Sequence, residues 1–245
     1  MSKILYTYKE YQKKISLWQK KLGRSRKVKK LANKLYVEAD KKNYSYLHSW
    51  NGEPLLQTPE DLLTIEDIVN KTKPEVIIEL GVAWGGSLLY YDTLAKIYPI
   101  KKIIGVDIFI PKDLEKRINL KKTSKVHLIR GDTCSQETIK EIKKISKRLK
   151  SFLIHLDSDH TEKHVLNELN LYSPFLRKGN YLIVGDTIVS YIPKQKHRPR
   201  NWNKNNSPKT ALDIFLKKNK NFKINKDISN KQLLTNNPGG YIYKI

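Results

Sequence analysis

The chain is short of cysteine, arginine and long apolar runs, and each shortage closes off a class of protein. A single cysteine, Cys134, among 245 residues rules out an intramolecular disulfide framework and any all-cysteine metal site. A reducing cytoplasm is the expected setting. No apolar run approaches the roughly 18 residues of a membrane span. The start, MSKILYTYKEYQKK, lacks the uninterrupted apolar stretch of a secretory signal, so none is expected. Arginines number eight, so 40 of the 48 basic residues are lysine. Arginine makes the best bidentate contacts to phosphates and base edges, and its scarcity weakens the case for a nucleic-acid reader.

What is abundant is positive charge. The formal net charge is +24, and the densest basic cluster is KKLGRSRKVKK, Lys20 to Lys30. Two readings stand. The lysines either cover solvated faces, in a composition also rich in Asn and Ile, or meet an anionic partner such as a membrane surface, an acidic glycan or nucleic acid. The length suits one sizeable α/β domain with an appendage.

Residues 1–50 read as a basic, helical, aromatic-dotted extension, and 51–245 as the main domain. Thr58-Pro59-Glu60-Asp61 is a helix start, with a threonine cap, proline at the first position and acids in the first turn. From residue 74 strands and helices alternate. Strands are expected at 75–80, 102–108, 126–130, 152–156, 181–184, 222–228 and 241–245, and helices at 87–97, 113–119, 135–149, 162–176 and 208–218. This pattern predicts a mostly parallel seven-stranded sheet covered on both faces. With no helix expected between the last two strands, they should form an antiparallel edge hairpin. The loop PKQKHRPRNWNKNNS, 193–207, reads either as a lid on the ligand side of the sheet or as disorder.

The most informative stretch is ELGVAWGGS, Glu79 to Ser87, which joins the first long strand to a helix. Glycines there let the backbone turn sharply and let a ligand approach closely. The helix start offers unpaired N–H groups to the crevice. The spacing Gly81-x-x-x-Gly85-Gly86 departs from the G-x-G-x-x-G of dinucleotide sites. Glu79, two positions before the first glycine, would repel a pyrophosphate and attract a cationic ligand. That points to S-adenosylmethionine, with its amino group and sulfonium. Asp107 ends the next strand, where an acid accepts hydrogen bonds from ribose hydroxyls. Asp132 ends the third, within reach of an adenine amino group or as a helix cap.

The fourth strand ends in HLDSDHT, His155 to Thr161, and the fifth in VGDT with Asp186. Asp157 and Asp159 share strand parity and are expected to face one crevice. Asp159 and Asp186, at the tips of adjacent strands, suit a hard divalent cation that would orient a substrate hydroxyl and lower its pKa. Simple capping of helices and loops is the other reading. His160 is a candidate general base. His155 reads either as a buried, hydrogen-bonded histidine or as the start of a His155-x-Asp157 facial iron triad, which belongs to antiparallel barrels.

The blocks ELGVAWGGSLLYY, IIGVDI, LIRGDTCSQET, LDSDHTEKHVLNELNLYSPFL, GNYLIVGDT and NKQLLTNNPGGYI together resemble the cephalosporin hydroxylase family, which includes rhamnosyl O-methyltransferases. The resemblance runs from about Trp50 to Ile245. It implies a class I methyltransferase fold, S-adenosylmethionine, a magnesium site and an O-methyltransferase acting on a sugar or glycan hydroxyl. By position it implies Glu79, Gly81 and Ser87 at the methionine part of the cofactor, with Gly85 in the same turn, Asp107 at the ribose and Asp132 at the adenine end. Asp157 joins this cofactor set. Asp159 and Asp186 would be metal ligands and, with His160, the catalytic group. One departure is Gly185, where the family commonly has a glutamate; Asp157 or water then becomes the substitute ligand. That departure sustains an alternative, a non-catalytic protein binding anionic glycan or nucleic acid on the same fold; an iron-dependent hydroxylase ranks third. A homo-oligomer is compatible with the family.

Overall fold

The computed structural model describes residues 6–245. Two helices come first, α1 (Tyr8–Arg24) and α2 (Arg26–Asp40), joined at Ser25, whose hydroxyl caps α2. A two-stranded ribbon, β1 (Ser49–Trp50) and β2 (Glu53–Pro54), leads to α3 (Pro59–Thr72). Thr58 caps α3 and Pro59 opens it, as the sequence predicts. The alternating segment then runs β3 (Val76–Leu80), α4 (Gly86–Ile97), β4 (Lys102–Asp107), α5 (Lys112–Lys121), β5 (Val126–Arg130), α6 (Gln136–Ile145), β6 (Phe152–Leu156), α7 (Glu162–Tyr172) and β7 (Tyr181–Val184). The chain closes with α8 (Pro208–Lys218), β8 (Phe222–Ile224), α9 (Lys226–Lys231) and β9 (Tyr241–Lys244).

The strands form one seven-stranded sheet in the order β5-β4-β3-β6-β7-β9-β8. The first five are mutually parallel, and β9 runs antiparallel to both β7 and β8. The antiparallel edge is as expected, but its connection is not. The expected strand 222–228 stops at Ile224, because the Asn225 side chain accepts from the Asp227 and Ile228 amides and starts α9. Among the described residues no helix is long and apolar enough to cross a membrane.

The β3 strand is buried along its whole length, so its alternate residues feed two cores. Val76, Ile78 and Leu80 face α6, α7 and α8, while Ile77 faces α3 and α4. Alternation then puts Glu79 and His155, which pair in register, on the α4 face. The chain leaves β3 for β4 on one side and returns to β6 on the other. The crevice between the ends of β3 and β6 is therefore the switch point where open α/β sheets bind ligands.

Candidate active site

Gly81 makes the switch point passable. Its φ is +96°, and a Cβ there would lie 2.2 Å from the Asp157 carbonyl oxygen and 2.9 Å from the Ser158 Cα. Only glycine lets the β3 turn run this close to the end of β6. The turn is then braced from behind: Val82 and Ala83 donate their amides to Asp107 Oδ2 at 2.8 and 3.1 Å, and Phe109 donates to Oδ1 at 3.0 Å. Gly85 precedes α4 with φ +80°, and no side chain caps that helix start.

Glu79 lies beneath the turn, 1% exposed. Burial pushes its carboxyl up to about 8, opposed by a hydrogen bond from Ser87 and reinforced by the Asp107 charge. Its Oε2 has no hydrogen-bond partner. Alongside it, His155 Nδ1 sits 2.9 Å from the Tyr91 hydroxyl and 3.9 Å from Glu79 Oε1, and burial lowers the imidazole to about 4. His155 is thus a neutral core histidine on the α4 face, not an iron ligand.

Above the turn opens a cavity of about 280 Å³, at the small end of the roughly 300–1,000 Å³ of small-molecule sites. Gly81, Trp84 and Ser87 form one side of it. In the same cavity Asp157, His160 and Asp186 converge, with one ligand atom from each lying within 4.8 Å of the others. His160 Nε2 is 3.3 Å from Asp186 Oδ2. Its ring meets Trp202 edge to face at 4.7 Å between centroids. Asp157 Oδ2 accepts from Gln57 Nε2 at 2.8 Å. Loss of solvent and the Asp186 charge hold the Asp157 carboxyl well above the usual carboxylate range. Asp186 has a left-handed φ of +49° and donates its amide to Asn237 Oδ1 at 2.9 Å. Such backbone strain in a non-glycine residue is held by its surroundings and gathers at functional sites.

Not every sequence-predicted residue reaches this cavity. Asp157 takes the place expected of Asp159. The Asp159 carboxylate is exposed and accepts from the Thr161 amide and hydroxyl at 2.7 and 2.5 Å, capping the approach to α7. Asp132 is likewise exposed and accepts from the Cys134 amide at 2.8 Å, away from the cavity lining. Gly185 packs against Asp157: a Cβ there would lie 2.6 Å from Asp157 Oδ1. The space a side chain at 185 would need is filled by the Asp157 carboxylate.

Two further walls have different standing in the sequence. Tyr36 of α2 and Tyr46 line the cavity unanticipated, whereas Arg198, Arg200 and Trp202 come from the 193–207 loop, in line with its reading as a lid on the ligand side. That loop is tied down by Asp40, which is 6% exposed. Asp40 pairs with Arg198 and accepts from Gln195 Nε2 at 2.7 Å. Arg198 also stacks on the Tyr46 ring at 4.6 Å. The R-P-R-N-W run marked the loop as basic and aromatic, but its partner at residue 40 left no local signal.

The parallel sheet, the glycine turn and the acidic strand tips define a class I methyltransferase fold, and solved structures bear this out. The chain is similar to CmcI in its apo state (TM-score 0.58, 19% identity, 82% of this chain and 77% of that one). It is also similar to CmcI with Mg and SAM (TM-score 0.54, 18% identity, 82% and 77%). An O-methyltransferase from Bacillus cereus in complex with SAH shares the fold at TM-score 0.50 and 11% identity, over 78% of this chain and 81% of that one. The chain belongs to the Rhamnosyl O-methyltransferase/CmcI family, whose pattern matches residues 42–245. Rhamnosyl O-methyltransferase of Mycobacterium leprae (strain TN) is 30% identical over 148 residues, 59% of this chain and 62% of that protein. That of Mycobacterium tuberculosis (strain ATCC 25618 / H37Rv) is 28% identical over 156 residues, 62% and 60%. The chain thus spans about 60% of the length of the curated relatives it matches.

Proposed function

We propose that this chain is an S-adenosylmethionine-dependent O-methyltransferase acting on a sugar or glycan hydroxyl, assisted by a divalent cation. The observation that carries the reading is the convergence of Asp157, His160 and Asp186 in the cavity that the Gly81 turn also lines. The residues fit both groups. Glu79 offers a buried, orphaned carboxylate oxygen below Ser87, suited to a cationic amino acid moiety. Asp157 and Asp186 bring two carboxylates together beside the His160 ring, a donor set that suits a hard cation keeping its remaining waters. When bound, the methyl donor supplies an electrophilic methyl on a sulfonium, and the cation supplies charge that favours the deprotonated hydroxyl.

The chain's own part is positioning and proton removal. Gly81, Ser87 and Glu79 would hold the donor, with Asp107 at the ribose end. Asp157 and Asp186 would hold the cation in place of the Asp159–Asp186 pair expected from the sequence. His160 would take the acceptor's proton, and the neighbouring carboxylates stabilise the imidazolium that results. Trp202, Trp84, Tyr36 and Arg198 line the cavity and would pack around a sugar ring. Relatives named as rhamnosyl O-methyltransferases support the sugar acceptor. Gly185, which motivated the non-catalytic alternative, is accounted for by the Asp157 carboxylate beside it.

The test pairs two titrations. S-adenosylhomocysteine should bind saturably by calorimetry, and Mn2+ should bind with an electron paramagnetic resonance signal change that Asp157→Asn and Asp186→Asn each abolish. The two variants should retain S-adenosylhomocysteine binding. Absence of saturable S-adenosylhomocysteine binding, or Mn2+ binding indifferent to both substitutions, would sink the proposal.

A further inference from the structure

The first two helices carry a surface that the cavity does not use. The α1 helix spans 17 residues without burying one. Tyr8, Tyr11 and Trp18 fall on one stripe at helical spacing and stay exposed, while Ile15 and Leu22 on the same stripe are half-buried and α1 packs beside α9. Tyr11 and Trp18 meet edge to face at 6.1 Å and stay 43% and 50% exposed. The α2 helix buries Ala32, Tyr36 and Asp40 and turns Leu31 and Leu35 outward, each more than half exposed. Beside it runs an open groove of about 850 Å³, bordered by Leu31, Tyr191 and Ile192 and rimmed by Lys27, Lys30 and Lys34.

Charge selects the occupant. Residues 8–40 hold eleven Lys or Arg against three Asp or Glu. Those three acids are already engaged: Glu10 by Thr7, Glu38 by Lys41 and Asp40 by the long loop. A second copy of the chain would bring an equal excess of positive charge against this face. A nucleic acid would find only Arg24 and Arg26 for forked phosphate contacts, and exposed leucines do not stack on bases. Lysines flanking exposed Trp, Tyr and Leu are the composition of a helix lying in the interface of an anionic bilayer.

We propose that the α1–α2 segment docks on an anionic lipid surface, its exposed aromatic and leucine side chains at the headgroup boundary and its lysines on the headgroups. The same α2 that would dock supplies Tyr36 to the cavity wall, so docking and acceptor binding share one helix.

The full chain should co-sediment with vesicles of phosphatidylcholine mixed with phosphatidylglycerol, not with phosphatidylcholine alone, and high salt should release it. Replacing Lys27, Lys30 and Lys34 together by Gln should weaken vesicle binding about a hundredfold. Trp18→Ser combined with Leu31→Ser should also weaken it, with the salt dependence retained. Unchanged thermal melting would show that both variants fold, and the parent's behaviour on the two vesicle types stands as a test without them. The proposal is overturned by equal binding to neutral vesicles or by no binding to mixed ones. It is equally overturned if Trp18 and Leu31 prove indifferent while an RNA homopolymer displaces the protein, or if the same substitutions instead abolish a reversible dimer in sedimentation.

Discussion

Gly81→Ala tests whether the close approach of β3 and β6 is what the glycine is for. The substitution has two costs that the structure separates. A non-glycine residue at φ +96° carries backbone strain of about 1–2 kcal/mol. The new Cβ also meets the Asp157 carbonyl at 2.2 Å, and overpacking against backbone adds about 1–3 kcal/mol, here at the upper end. Gly179 supplies the control, because its φ is +84° and a Cβ there would meet nothing within 4 Å. Gly179→Ala should therefore cost only the strain. For a chain of this size each kcal/mol moves Tm by about 2–4 °C, so Gly81→Ala should melt about 6–20 °C below the parent and Gly179→Ala about 2–8 °C below. Differential scanning fluorimetry of the three proteins, side by side, decides it. Because Gly81 itself lines the cavity where the donor would sit, S-adenosylhomocysteine affinity should fall in Gly81→Ala and hold in Gly179→Ala. Equal melting of the two variants would refute the close-approach argument.

Glu79 has a folded value of about 8 against an ordinary 4.5, so its proton is held more tightly in the folded state. Its stabilising share is complete below about pH 4.5, declines as pH rises toward 8 and is flat beyond. Glu79→Gln should therefore gain stability relative to the parent between pH 5 and 8 in thermal melts; parallel profiles would contradict this. A cationic ligand would draw the proton off, so S-adenosylhomocysteine binding near pH 7 should release protons, seen as buffer-dependent calorimetric heats. Asp40→Ala leaves Arg198 without its carboxylate, and breaking such a pair costs about 3–5 kcal/mol. If that cost falls on the loop, trypsin should cut at 194–200 about a hundredfold faster or more in the variant; an unchanged cleavage rate would show that the clasp does not hold the loop.

Much of the fold was legible because local signals were strong and agreed. Val76-Ile77-Ile78 before a glycine turn, and Thr58-Pro59 before an apolar face, each carry strand or helix chemistry in a few residues. The strand ends at Leu156 and Val184 were likewise marked by the acids that follow. Asp159 departs from strand parity for a physical reason: β6 ends at Leu156, and beyond it the chain turns, so alternation no longer says which way a side chain points. Ile228 looked like strand because it is apolar, but the Asn225 cap turns that segment into α9. The clasp from Asp40 to Arg198 joins residues 158 apart, and a contact of that separation leaves no trace in either neighbourhood.

That clasp bears on where the protein can be cut. The family pattern begins at residue 42, and a truncation drawn there would look conservative by alignment. It would remove Asp40, leaving the Arg198 guanidinium facing Tyr46 with no carboxylate. It would also remove Tyr36, whose hydroxyl donates to Asn236 Oδ1 at 2.8 Å in the lining of the same cavity. The shortened chain would keep every strand of the sheet and lose the fastening of its own lid. The smallest unit that can be expected to bind as the whole does therefore starts upstream of α2, well before the residue at which the family becomes recognisable.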